Sequence, residues 1–157
     1  EGGASGAGVS LAMVCDMIVM SEHTFLSLAY VKIGVTPDGG ATKFLSEAMP
    51  RQLLSEMAMM GGKIESSRLF QIGAVNVLSQ KGKAKEDALE LCKNFASIPK
   101  NAISRIKKLT RTAYENTFDE QLQSETDSMV KSQGDKESVE GIDAFLEKRK
   151  ADYKKLR

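Results

Sequence analysis

The chain has 157 residues with Lys+Arg 22 against Asp+Glu 21, long enough to close one core without disulfide staples. A formal charge of +1 gives no bulk field for wrapping nucleic acid or lying on an acidic membrane, so neither is expected as a partner. Hydrophobic residues at 41% and charged residues at 27% exclude a disordered chain.

In chain order, the opening Glu-Gly-Gly-Ala-Ser-Gly-Ala-Gly has no basic or apolar signal region and reads as the middle of a longer protein rather than a targeting signal. The longest apolar stretch, Val9 to Met20, is interrupted by Ser10 and Asp16 and falls short of the roughly 20 residues that span a bilayer. A short helix is predicted over Ser10–Cys15, then strands over Met17–Met20 and Phe25–Leu28, with 29–34 ambiguous. Pro37-Asp38-Gly39-Gly40 reads as a turn opening a helix to about Glu47.

Pro50 starts the next helix, Arg51–Met60, and Gly61-Gly62 ends it. A short helix follows over Ser66–Ile72, and Ala74–Leu78 is strand-like. Most of the 13 glycines fall by Gly62, and the remainder turns helical. Ala84, Ala88, Leu91, Cys92 and Phe95 share one helical face, as do Ile103, Ile106, Thr110 and Ala113 behind Pro99, and Phe118, Leu122 and Met129 behind Thr117. Thr117 with Glu120 is a capping-box pair. The last helix aligns Val139, Ile142, Phe145 and Leu146, then runs into a basic tail from Lys148 to Arg157.

Cys15 and Cys92 lie in apolar runs without CxxC or Cys/His spacing, so buried thiols in a reducing compartment are expected rather than a disulfide or zinc site. Met57, Met59 and Met60 read as core methionines, with an acyl pocket as the alternative.

Four blocks in order carry a resemblance. Gly3-Ala4-Ser5-Gly6-Ala7-Gly8-Val9-Ser10 through Cys15-Asp16 resembles the crotonase glycine loop and helix. Gly34-Val35-Thr36-Pro37-Asp38-Gly39-Gly40-Ala41-Thr42 resembles the family's Pro-Gly turn. Ile64-Glu65-Ser66-Ser67 through Gly73-Ala74-Val75-Asn76, and the closing Gly141-Ile142-Asp143-Ala144-Phe145-Leu146-Glu147-Lys148-Arg149, complete it. The chain thus resembles the C-terminal part of a crotonase superfamily protein, the enoyl-CoA hydratase/isomerase family. The resemblance implies an α/β crotonase-like fold, a ββα spiral core without its N-terminal strands. It divides into a partial core over 1–80 and a helical oligomerisation region over 81–157.

Chemistry at the α-carbon of a thioester builds an enolate-like transition state, which needs fixed donors aimed at the thioester oxygen. Small residues let a ligand approach backbone amides at a helix start. The resemblance assigns such an amide to Ala7, with Gly6 and Gly8 shaping the loop; the alternative is a tight turn that only packs on the helix. Hydratases of the family carry two glutamates around one water, and here those positions fall on Ser10 and Tyr30. Each reads as a substrate-binding position or as packing, and a serine with a tyrosine is a poor acid/base pair for water addition near neutral pH. Asp38 then stands where family isomerases carry their single acid/base residue; the alternative is a helix cap.

The resemblance therefore implies an enoyl-CoA isomerase shifting Δ3 to Δ2 on an acyl-CoA thioester. The alternatives are an enoyl-CoA hydratase of fatty-acid or aromatic-acid degradation and a non-catalytic assembly module. It further implies a homotrimer or hexamer, no cofactor beyond the CoA of the substrate, no metal, and a cytoplasmic location, or a mitochondrial or peroxisomal one in a eukaryote. The basic tail reads as a solvated helix face or as a patch for CoA phosphates.

Overall fold

In the computed structural model, which describes residues 1–156, the opening glycines lead into a two-residue strand, β1 (Ala4–Ser5), and a short helix, α1 (Ala7–Met13). Next come β2 (Val19–Ser21), β3 (Phe25–Ser27) and one stretch of 3-10 helix over Ala29–Ile33. Helices α2 (Ala41–Ala48) and α3 (Arg51–Met60) follow, then β4 (Lys63–Glu65), α4 (Ser66–Gln71) and β5 (Val77–Ser79). These elements fall in the first of two compact units, Glu1–Glu90; the second runs from Leu91 on, and helix α5 (Ala84–Phe95) carries the boundary between them.

Within the first unit, β3 is the central strand of a three-stranded sheet in the order β1-β3-β4, parallel to β1 and antiparallel to β4. Leu26 stands opposite both Ala4 and Ile64, so one apolar rung crosses the sheet. β2 and β5 form a separate parallel pair with Met20 opposite Leu78. The helices pack by one stripe each: Val9 and Met13 on α1, Ala41, Leu45 and Met49 on and just after α2, Leu53 and Met57 on α3, all spaced by four. Leu28, Leu45, Met57 and Leu69 are completely or almost completely buried, each stabilising the unit by about 1.5–3 kcal/mol relative to an exposed side chain. Gly61 stops α3 at φ 60, where an added Cβ would lie 3.0 Å from Val31 Cγ1.

The second unit contains α6 (Lys100–Thr112), α7 (Phe118–Gln133), α8 (Lys136–Leu146) and a 3-10 turn over Tyr153–Leu156. The capping box at Thr117 is formed: Thr117 N–H donates to Glu120 at 2.8 Å, and the Glu120 amide donates back to Thr117 Oγ1 at 3.4 Å. Arg105 Nη1 on α6 reaches Asp135 at 2.5 Å and Ser132 Oγ at 3.0 Å, and Glu137 accepts the Asn101 amide at 2.9 Å.

Several expectations need correction. The buried strand after α1 starts at Val19, not Met17, because α1 ends early and residues 14–18 form the connection. Strand β4 is an addition: with only Ile64 buried, its three residues carry too little pattern to be read. Cys15 and Cys92 are exposed rather than buried, since an apolar run does not reveal which helix face a residue takes. Of the methionine patch only Met57 is core; Met59 and Met60 are 74% and 73% exposed. The last helix stops at Leu146 before the basic tail: Lys148 sits at φ 54, and Arg149 turns back to bind Glu140 at 2.7 Å. Arg157, the last residue of that tail, lies outside the described residues.

Candidate active site

The glycine loop is held by the sheet. Ser5 pairs with Ser27, and the Gly6 amide donates to the Ser27 carbonyl at 3.0 Å. Gly6 itself sits at φ 57, ψ −130, an extended left-handed conformation that only glycine adopts at low cost. The chain then turns into α1, where the Val9 amide donates to the Gly6 carbonyl at 2.9 Å. Among the described residues the Ala7 and Gly8 amides have no acceptor, and both residues are exposed. Two backbone donors are therefore free at the loop.

One turn of α1 further on, Ser10 is 6% exposed and donates its hydroxyl to the Asp38 carbonyl at 3.2 Å. That carbonyl also accepts the Ala41 amide at 3.1 Å, which opens α2. The contact is close because Gly39 and Gly40 lie at φ 59 and φ 82, and a Cβ on Gly39 would come within 3.2 Å of Ser10 Oγ.

Tyr30 arrives from the 3-10 helix that follows β3, an element closed by the Gly34 amide on the Val31 carbonyl at 3.1 Å. Its ring lies against the loop: a Cβ on Gly6 would be 3.6 Å from both Cζ and Oη, an ordinary contact. The phenol donates to Asp38 Oδ1 at 2.6 Å, a distance typical of a charge-assisted bond. That bond, then partial desolvation and the nearby Asp38 charge, raise the phenol's pKa above its ordinary 10.0. Asp38 Oδ2 has no partner among the described residues, and the residue is exposed.

The residues singled out by sequence thus meet: Gly6, Ser10, Tyr30 and Asp38 form one connected group beside the free Ala7 and Gly8 amides. Asp38 is not the cap of α2, whose N-cap is Gly40 with no side-chain bond. The direct Tyr30–Asp38 bond is not foreseen from the sequence, and its only sequence signal is an acceptor lying eight residues from a phenol, beyond Gly34 and Pro37. Among the described residues no group of three or more His, Cys, Asp and Glu side chains could hold a metal ion, and no helix is long and apolar enough to cross a membrane.

The sequence pattern of the enoyl-CoA hydratase/isomerase family matches residues 1–156. The chain belongs to that family. Its similarity extends to a mitochondrial enoyl-CoA hydratase of Pongo abelii, 30% identical over 98% of this chain and 53% of the relative. A 2,3-dehydroadipyl-CoA hydratase of Escherichia coli is also 30% identical, over 98% of this chain and 60% of the relative. Among solved structures, an enoyl-CoA hydratase from Polaromonas sp. superposes with a TM-score of 0.92 at 38% identity, covering 96% of this chain and 59% of that one. The fold is therefore crotonase-like, and this family member spans 53% and 60% of the lengths of the two curated relatives.

Proposed function

We propose that the protein carrying this chain is an enoyl-CoA isomerase that moves a Δ3 double bond to Δ2 on an acyl-CoA thioester. Asp38 is its single acid/base, and the Ala7 amide is one donor to the thioester oxygen. The reading is carried by one observation: Tyr30, whose ring faces Gly6, binds one oxygen of Asp38 and leaves Oδ2 without a partner among the described residues. In the reaction Oδ2 takes a proton from the α-carbon. The electron pair of that C–H bond delocalises into the thioester carbonyl, and the resulting dienolate oxygen is stabilised by the loop amide. Asp38 then returns its proton to the γ-carbon as the double bond settles between the α- and β-carbons, so charge and protons balance over the cycle. The CoA enters as part of the substrate, and the steps call for no further cofactor.

The same reading gives the assembly as a homotrimer or hexamer, supported by the exposed Phe118, Phe145 and Leu146 of the second unit. Hydration of a 2-enoyl-CoA is the second reading, favoured by the hydratase names of the similar proteins. Against it, the two positions that resemblance gives to water-holding glutamates are occupied by Ser10 and Tyr30, which both bond to Asp38. Full-length protein assayed with a 3-enoyl-CoA and a 2-enoyl-CoA separates them. Conversion of the 3-enoyl substrate to its conjugated isomer is expected to be the faster reaction; formation of 3-hydroxyacyl-CoA as the faster reaction overturns the isomerase reading.

A further inference from the structure

We infer that Tyr30 is a positioning residue for Asp38: its phenol is the strut between the glycine loop and the proton-carrying carboxylate. This rests on the isomerase reading and assigns Tyr30 a role other than substrate binding. A phenol has one O–H to donate, and here it is given to Asp38 Oδ1, so none is left for a thioester or acyl group. The ring meanwhile faces Gly6, the residue whose backbone presents the Ala7 amide, at a distance where a Cβ on Gly6 would just meet it.

The same side chain therefore binds the carboxylate and faces the glycine loop. A carboxylate on a turn has a broad, roughly two-fold torsion about its terminal bond, and without a partner its two oxygens would interchange. The phenol fixes which oxygen faces Tyr30 and which remains unpartnered. Ser10 completes the arrangement from the other side, since its hydroxyl holds the backbone carbonyl of the same residue at 3.2 Å. The two residues that stand where the resemblance would put hydratase glutamates thus hold Asp38 at its carboxylate and, together with the Ala41 amide, at its backbone carbonyl.

The test is a double-mutant cycle in full-length protein with a 3-enoyl-CoA, following isomerisation and, for slow variants, α-proton exchange with D2O. Tyr30→Phe keeps the ring against Gly6 and removes only the hydroxyl. It is expected to lower kcat by about tenfold or more with KM within about twofold, because misplacement of a reacting group by a fraction of an ångström is felt in the chemical step. The thermal midpoint should stay within a degree or two of the parent, roughly the change expected for a peripheral hydroxyl. Tyr30→Phe/Asp38→Asn should be no slower than Asp38→Asn alone, since positioning the side chain gains nothing once it can no longer carry a proton.

A Tyr30→Phe protein with parental kcat beside an inactive Asp38→Asn protein overturns the positioning role and leaves the isomerase reading standing. So does a rise in KM alone, which would make Tyr30 a substrate contact. A double variant slower than Asp38→Asn by the full Tyr30→Phe factor overturns it too, because Tyr30 would then act independently. An Asp38→Asn protein that stays active removes the base itself, and the strut with it.

Discussion

The two units of the chain are held by different physics. In Glu1–Glu90 fourteen apolar side chains form one buried cluster, and the sheets and helices meet through it. From Leu91 on, Ala144 is the one hydrophobic residue buried below a tenth of its surface among the described residues, while Phe118 and Phe145 are 77% and 81% exposed. Polar contacts run between those helices: Arg105 on Asp135, Glu137 on the amides at the start of α6, and Arg149 clamped between Glu140 and Glu147. A unit with its own core can hold loops such as Gly6 and Gly39 in conformations that are costly by themselves. The caps and charge pairs of the second unit change in worth with pH and salt.

The largest effect should come from opening a cavity in the first unit. Leu45, fully buried, cut to alanine is expected to cost about 2–5 kcal/mol, read as a shift in the denaturant midpoint; a loss below about 1 kcal/mol would mean the cluster is not what holds this unit. Its counterpart in the second unit is Thr117→Ala, which deletes the box at the start of α7 and should cost about 1 kcal/mol. A null result there would place that unit's stability elsewhere. The smallest effect is a pH response at Glu140 in the second unit. Hydrogen bonds from Arg149, then from the Asp152 amide, hold Glu140 down at about 2 against an ordinary 4.5. A depressed carboxylate stabilises the fold above its unfolded value, so that contribution is complete above about pH 5 and fades as pH falls toward 2. Thermal midpoints measured from pH 6 to pH 2 should show this step, and Glu140→Gln should flatten it; an unchanged profile in the variant would assign the acid sensitivity to other carboxylates.

The same contrast explains what the sequence revealed. Elements set by local chemistry were readable: the Thr117–Glu120 box, the stop at Gly61, the Pro37–Gly40 turn and the helical stripes all rest on residues within a few positions of one another. Elements set by partners far along the chain were not. β4 exists because β3 offers it an edge, and the early end of α8 comes from Arg149 folding back nine residues onto Glu140. At the site, residue identities followed from the resemblance, but the Ser10–Asp38 bond joins residues 28 apart and the Tyr30–Asp38 bond crosses a turn. No periodicity carries such a pairing. Ser10 and Tyr30, read as substrate-binding positions or packing, both engage Asp38, Ser10 at its backbone carbonyl and Tyr30 at its carboxylate.

The proton-carrying role of Asp38 is tested most directly by the isomerisation rate of full-length Asp38→Asn with a 3-enoyl-CoA. The amide keeps the shape and can still accept from Tyr30, yet it cannot carry a proton. A fall of about a hundredfold or more is expected from the loss of a general acid/base, whereas a fall of less than about tenfold would take Asp38 out of the reaction.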